Sequence, residues 1–146
     1  MLVYLDMCCL KQPFDDQSQP RIRLESEAVL AILALASADV GFVRSPALLL
    51  ENSLNPNGTR AARVGEWLAA EAPARADSAA LQQRTADLMR LGFKNFDALH
   101  VSSAEQAGAE FRATCDDRML AIAKRTADRL KVKVIGVVEL AREIIK

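Results

Sequence analysis

Short apolar runs alternate along the chain with longer segments whose apolar residues recur at helical spacing. The short runs have the length and composition of strands that are buried on both faces of a parallel sheet. Because strands separated by helices favour a parallel sheet joined by right-handed crossovers, we expect a three-layer α/β/α fold. Its central sheet is predicted to be mainly parallel and to contain four or five strands. The predicted strands span residues 2–5, 40–43, 110–114 and 131–138.

Capping and turn residues predict where the helices begin and end. Ser45-Pro46 offers a hydroxyl cap followed by proline at the first helical position, and Gly92 is typical of a helix end. Residues 11–20, with two prolines, are predicted to form a loop. The helices predicted to begin at caps Thr59 and Asp77 follow each other without a strand between them, which predicts an inserted helical hairpin. Other helices are predicted to begin at cap Asn95 and to span 21–37, 117–130 and 139–145.

The helix predicted over 21–37 has an apolar face that should pack on the sheet. Leu24 and Leu35 widen this face beyond one stripe, which leaves two interpretations open: deep burial or a subunit contact. The residues predicted to point inward are Ile22, Val29, Ile32, Leu33 and Ala36.

Acidic residues follow the predicted strands at the edge where ligands collect in open parallel sheets. Such charges repel one another unless some hold protons or a cation binds them. Oxygen ligands select hard ions such as Mg²⁺ or Mn²⁺, whose chemistry suits phosphodiester cleavage. Capping of helix starts explains Asp97, Asp116 or Asp117 equally well, but Glu51 lies beyond the cap positions of its helix. The candidate metal ligands are Asp6, Glu51, Asp97 and Asp116.

Four motifs in order, YLD, SPALLLE, FDALHVSSAEQAG and FRATCDDRML, resemble the PIN-domain nucleases, including the VapC-like toxins of toxin–antitoxin pairs. The resemblance implies a PIN-like fold, metal-dependent endoribonuclease activity on RNA, frequent homodimers and an antitoxin partner. It makes the candidate acids the family's catalytic and metal-binding set, in the order Asp6, Glu51, Asp97 and Asp116. Thr114 matches a hydroxyl position, and Asp117 is a neighbour able to substitute for Asp116. Met7-Cys8-Cys9 departs from the family, because many members carry Thr or Ser after the first acid.

The charges of the chain balance, with 19 Lys and Arg against 19 Asp and Glu in 146 residues, so no broad positive field attracts nucleic acid. An RNA substrate must therefore meet metal ions or a local basic cluster. Arg118, next to Asp116, is the favoured phosphate contact among several basic residues that ordinary solvation explains equally well, namely Lys11, Arg60, Arg63 and Lys94. His100 shares a helix face with Asp97 and is either a neighbour of the site or a satisfied core histidine.

Three cysteines form neither an even disulfide framework nor a CxxC zinc pattern, which suits a reducing cytoplasm and small buried side chains. No signal-peptide pattern opens the chain, and the longest apolar stretch is too short for a membrane span. We therefore expect one cytoplasmic domain over residues 1–146, with no membrane association.

Three functions compete at this level. The first is a Mg²⁺- or Mn²⁺-dependent endoribonuclease acting as a toxin, and the second is a PIN-like module that binds RNA or a protein partner without cleavage. The third, a receiver or phosphatase domain, requires an aspartate nucleophile supported by a DxD motif or a strand-end lysine. Here Met7-Cys8 follows Asp6 and Lys133 lies inside its strand, so this function has less support. No glycine-rich motif indicates a nucleotide cofactor.

Overall fold

A computed structural model describes residues 1–145 of the chain. Its strands are β1 (Leu2–Leu5), β2 (Gly41–Phe42), β3 (Phe111–Thr114) and β4 (Lys133–Gly136). Its α-helices are α1 (Met7–Lys11), α2 (Pro20–Leu33), α3 (Pro46–Ser53), α4 (Gly58–Ala69), α5 (Ser78–Arg90), α6 (Asn95–Gln106), α7 (Asp117–Arg125) and α8 (Val137–Ile144). Two short 3₁₀ segments cover Gln12–Phe14 and Ala127–Arg129.

The sheet has the strand order β2-β1-β3-β4, and every neighbouring pair is parallel. Val3 pairs with Phe42 on one side and with Phe111 on the other, so β1 lies in the interior of the sheet. The central strands β1 and β3 are almost completely buried, as their apolar content predicts. Because the strands are parallel, the residues that follow β1 and β3 lie at the same edge of the sheet.

The helices pack in pairs around this sheet. α2 packs on α8, while α5 packs on α6 and α3 packs on both α4 and α6. Four helices, α3 to α6, lie between β2 and β3, and the prediction that α4 and α5 form a hairpin was wrong, because α4 packs on α3 and α5 packs on α6. The α/β fold class and the parallel sheet are therefore confirmed, with four strands in the described residues. None of the helices in residues 1–145 is long and apolar enough to cross a membrane.

The prediction of a loop over 11–20 was partly wrong. The chain turns directly from β1 into α1, and the 3₁₀ segment with Pro13 in its first turn continues it, so that 15–19 alone connect to α2. The physical reason is Asp6, whose carboxylate accepts from the backbone N–H of Met7 at 2.9 Å and caps the new helix. A helix of five residues is too short to produce a periodic pattern in the sequence.

Helix α2 ends at Leu33, earlier than the predicted Ser37, and Ala36 is exposed in the turn that follows. Deep burial was also the wrong interpretation for Leu24, which is 54% exposed. Instead Glu25 is buried, because Gln12 Nε2 donates to its Oε1 at 3.0 Å. A subunit contact at Leu24 remains a prediction.

Several helix boundaries in the structure differ from the predicted ones by a few residues. Asn57, not Thr59, caps α4, and Asn95 is the first residue of α6 rather than its cap. Positive φ angles of 112° at Gly92 and 78° at Gly108 confirm glycine at the ends of α5 and α6. The helix predicted over 117–130 ends at Arg125 before a 3₁₀ turn, and the last strand and helix are 133–136 and 137–144. The pairing with β3, itself four residues long, limits β4 to four residues.

Candidate active site

Asp6 is held at the end of β1 by four separate contacts. Its Oδ1 accepts from Met7 N at 2.9 Å, and its Oδ2 accepts from Thr114 Oγ1 at 3.0 Å. Arg112 Nη2 lies 3.0 Å from the same Oδ2, and Cys8 Sγ lies at 3.5 Å. Burial by itself raises the pKa of Asp6, but the charge of Arg112 and the hydrogen bonds more than offset it, so the pKa lies below its ordinary value. Asp6 is therefore a fixed, ionised carboxylate.

Arg112 is the functional candidate that sequence reasoning missed. It occupies the middle of β3 and is completely buried. Although Nη2 is at ion-pair distance from Asp6, none of Nε, Nη1 and Nη2 has a hydrogen-bond partner of good geometry among the described residues. Burial acts to lower the pKa of Arg112, but the charge of Asp6 opposes it and leaves the pKa raised. The available signal was a lone arginine inside the short, otherwise uncharged strand FRAT.

Thr114 connects two of the candidate acids. Its hydroxyl donates to Asp6 Oδ2 and accepts from the backbone N–H of Asp116 at 3.2 Å. Asp116 caps α7, since its Oδ1 accepts from Arg118 N at 2.9 Å and from Met119 N at 3.3 Å. Asp116 is therefore a helix cap, as one of the two interpretations predicted, and it caps through one of its two carboxylate oxygens.

Asp97 lies in the first turn of α6, half-buried, and is not the cap of that helix. Burial raises its pKa, and the charges of Asp6 and Asp116 raise it further, against the opposing effect of Arg112. A carboxylate whose pKa responds to both other acids lies in the same electrostatic environment. The charges of Asp6 and Asp116 therefore both act on Asp97.

Glu51 is connected to the sheet through a chain of buried polar groups. His100 Nε2 lies 3.4 Å from Glu51 Oε1, and His100 Nδ1 lies 2.6 Å from the hydroxyl of Tyr4, which lies 2.7 Å from Ser45 Oγ. In a neutral ring, Nε2 carries the proton and donates to the carboxylate, so Nδ1 accepts from Tyr4. Both interpretations of His100 thus apply, because it is a satisfied core residue that also orients Glu51. The second oxygen, Glu51 Oε2, is buried without a hydrogen-bond partner.

The acids do not form a closed cage. Within residues 1–145, no three His, Asp or Glu side chains bring ligand atoms within 4.8 Å of one another. Mg²⁺ usually keeps several waters and binds directly to only one or two carboxylates, so such spacing suits it. The four-acid metal site remains a prediction that this geometry leaves possible.

Among the described residues, one group of three potential metal ligands does lie within 4.8 Å of one another, and all three are thiols. Cys8, Cys9 and Cys115 bring their sulfur atoms within 4.8 Å of one another, and Cys9 Sγ lies 3.6 Å from Cys115 Sγ. Hydrogen bonds from Cys115 and Cys9 lower the pKa of Cys8, while burial raises the pKa of Cys9. Cys9 fits the prediction of a small buried side chain, but the contact with distant Cys115 was not expected.

The remaining residues that the sequence suggested for the site lie outside the group of candidate acids. Arg21 holds both oxygens of exposed Asp117 at 2.8 Å, which makes Asp117 a surface partner of α2. Arg118 is exposed, and its backbone N–H, rather than its guanidinium, contacts Asp116. Arg60 and Arg63 line a separate cavity beside Phe14.

No family model and no curated protein matches the chain. A solved structure, FitAcB from Neisseria gonorrhoeae, is similar with a TM-score of 0.53 and 21% sequence identity. The match covers 92% of this chain and 97% of that chain. At this identity the likeness concerns the fold alone, and it supports a PIN-like fold.

Proposed function

We propose that residues 1–146 form a single PIN-like nuclease domain that hydrolyses RNA phosphodiester bonds with a divalent cation. The observation that carries the proposal is Glu51, whose buried Oε2 has no hydrogen-bond partner while His100 orients the other oxygen. A buried carboxylate oxygen without a partner is costly unless a cation or water binds it. The nuclease class is also supported by the likeness in fold to FitAcB.

The donor set fits a hard cation. Asp6, Glu51, Asp97 and Asp116 offer only carboxylate oxygens, and burial, followed by the charges of Asp6 and Asp116, raises the pKa of Asp97. These four residues would hold Mg²⁺ or Mn²⁺. The bound ion would activate a water molecule and stabilise charge on the leaving oxygen.

The other residues of the site position these acids. Thr114 and Arg112 fix Asp6 in one orientation and keep it ionised. His100, itself held by Tyr4, directs the carboxylate of Glu51. Cleavage adds water across a P–O bond, leaving a phosphate on one product and a hydroxyl on the other.

A role as a toxin with a cognate antitoxin, and assembly as a homodimer, belong to the same proposal. The motif resemblance described above suggests them, and the likeness in fold to FitAcB supports a toxin ribonuclease. Expression should then arrest growth, and co-expression of a small partner encoded beside the gene should restore it. Growth arrest by a Glu51→Gln variant as strong as that by the unchanged chain would contradict the toxin role.

The activity is tested directly with purified protein and labelled RNA. We expect cleavage with Mg²⁺ or Mn²⁺, no cleavage in excess EDTA, and loss of cleavage in Glu51→Gln and Asp97→Asn. Matched surface changes, Glu66→Gln and Asp128→Asn, should cleave normally, because both side chains are exposed. Cleavage that persists in EDTA or in Asp97→Asn would refute the proposal.

One observation favours a second candidate, a PIN-like module that binds RNA or a protein partner without cleaving. Arg112 already neutralises Asp6, as a built-in cation in the acid cluster. If this charge replaces the metal, RNA binding should survive the loss of Glu51 and Asp97, and no cleavage should appear with any divalent ion. RNA binding and cleavage measured on the same variants separate the two candidates.

A further inference from the structure

Three thiols from two distant parts of the sequence meet beside Asp6. Cys8 and Cys9 lie in α1, and Cys115 lies in the junction between β3 and α7. Their sulfur atoms are all within 4.8 Å of one another, and the Cys9–Cys115 pair is separated by 3.6 Å. Zinc–sulfur bonds are about 2.3 Å long, which places the sulfurs of a tetrahedral site about 3.8 Å apart. The thiols therefore have nearly the spacing of metal ligands.

Backbone contacts hold the two segments together. The N–H of Cys115 donates to Cys8 Sγ at 3.2 Å, and Cys9 Sγ donates to the carbonyl of Ala113 at 3.4 Å. Both segments are anchored by β1 and β3, which pair directly in the sheet. The cluster is thus formed by the fold and needs only small side-chain rotations to contract around an ion.

Asp6 Oδ2 lies 3.5 Å from Cys8 Sγ, but among the described residues the three thiols alone lie within 4.8 Å of one another. We propose that Cys8, Cys9 and Cys115 bind one thiophilic metal ion, with Zn²⁺ as the candidate and a water molecule in the fourth position. Three sulfurs and one oxygen suit the tetrahedral preference of zinc, whereas Mg²⁺ avoids sulfur ligands.

The charge of such a site is balanced locally. Each thiol binds as a thiolate and releases its proton to solvent, so the cluster becomes strongly negative before the ion is counted. Arg112, fully buried and 3.0 Å from Asp6 Oδ2, supplies a permanent positive charge beside it.

Binding of the ion by the thiols does not depend on any nuclease activity, so this site and the proposed function can be tested separately.

The experiment uses the full chain, reduced and freed of metal, and Co²⁺ as a coloured substitute for Zn²⁺. We expect one Co²⁺ per chain, a sulfur-to-cobalt charge-transfer band, and displacement of the band by Zn²⁺. Cys115→Ser should weaken Zn²⁺ binding by at least about 100-fold, the upper end of what changing an outer-shell residue costs. Glu51→Gln removes an acid but no thiol, so it should keep the full band.

Circular dichroism must first show that Cys115→Ser is folded, and Cys8→Ser removes a thiol from the other segment if it is not. The unchanged chain lacking the band, or Cys115→Ser or Cys8→Ser keeping it, would overturn the site. Loss of the band in Glu51→Gln would mean that ion binding requires Glu51 as well as the thiols, and would also overturn the three-thiol site. A chain that binds Co²⁺ through thiolates but never cleaves RNA would keep this site and refute the proposed function.

Discussion

The two sides of the candidate active site are constructed differently. On the Asp6 side, the carboxylate is buried and held by a guanidinium, a hydroxyl and a backbone N–H. The other side of the comparison consists of Glu51 and Asp97, which are less well satisfied: one carboxylate oxygen of Glu51 is buried without a partner, and Asp97 is half-buried with a raised pKa. Both oxygens of Asp6 have partners in the protein, although the nitrogens of Arg112 beside it lack partners of good geometry, whereas Glu51 Oε2 has none among the described residues. A cation therefore has more to contribute on the side of Glu51 and Asp97 than at Asp6.

The largest expected effect comes from breaking the Asp6 side at Arg112. Replacing Arg112 with Met leaves Asp6 as a buried, unpaired charge, and removing one partner of such a pair costs about 3–5 kcal/mol of unfolding free energy. Urea unfolding followed by circular dichroism measures this loss.

A double variant, Asp6→Asn with Arg112→Met, tests the explanation. It removes both charges and should recover a large part of the loss, because the cost arises from the unpaired carboxylate. A single Arg112→Met variant as stable as the unchanged chain would show that the pair contributes little, and the contrast between the two sides would disappear.

A smaller loss is expected from Thr114→Val. Valine has nearly the shape of threonine but leaves Asp6 Oδ2 without its hydroxyl donor, and an unsatisfied buried group costs about 1–3 kcal/mol. Thr114→Ser keeps the hydroxyl and is the matched control. Equal unfolding midpoints for the Val and Ser variants would exclude a role for the hydrogen bond.

Asp97→Asn should change stability in the opposite direction. A raised pKa means that the folded chain retains a proton that the unfolded chain has already released, so stability falls as pH rises from the ordinary Asp value through the raised pKa. Asparagine removes this loss, and solvent screening at the half-exposed side chain keeps the gain at neutral pH below about 1 kcal/mol.

Thermal melting across pH, with and without Mg²⁺, checks this prediction. The unchanged chain should be stabilised by Mg²⁺ because binding favours the folded state, and Asp97→Asn should respond less. If Asp97→Asn is less stable than the unchanged chain in EDTA, the ionised carboxylate of Asp97 stabilises the fold and the prediction is wrong.

The smallest effect on stability is expected at the Arg21–Asp117 pair, which lies outside the candidate active site. This bidentate contact joins α2 to α7, but both side chains are exposed and water competes with it. Arg21→Gln should shift the urea midpoint less than any variant above, and added salt should shrink the difference. A shift as large as that of Thr114→Val would make Asp117 part of the supporting structure of the site.

The sequence by itself determined the sheet and where its acids lie. Apolar runs located β1 and β3, Ser45-Pro46 located the start of α3, and Gly92 located the end of α5. These signals are local, since strand burial, capping and left-handed turns each depend on a few neighbouring residues. From them follows the placement of Asp6 and Asp116 at one sheet edge.

Only the tertiary structure decided what surrounds those acids. Arg112 reaches Asp6 across two paired strands, Tyr4 reaches His100 from a different layer, and Cys115 meets Cys9 from 106 positions away in the sequence. No local pattern records such contacts, because they depend on strand register and on how the helices pack. The lowered pKa of Asp6 and the raised pKa of Asp97 follow from these surroundings and not from the motifs that contain the two residues.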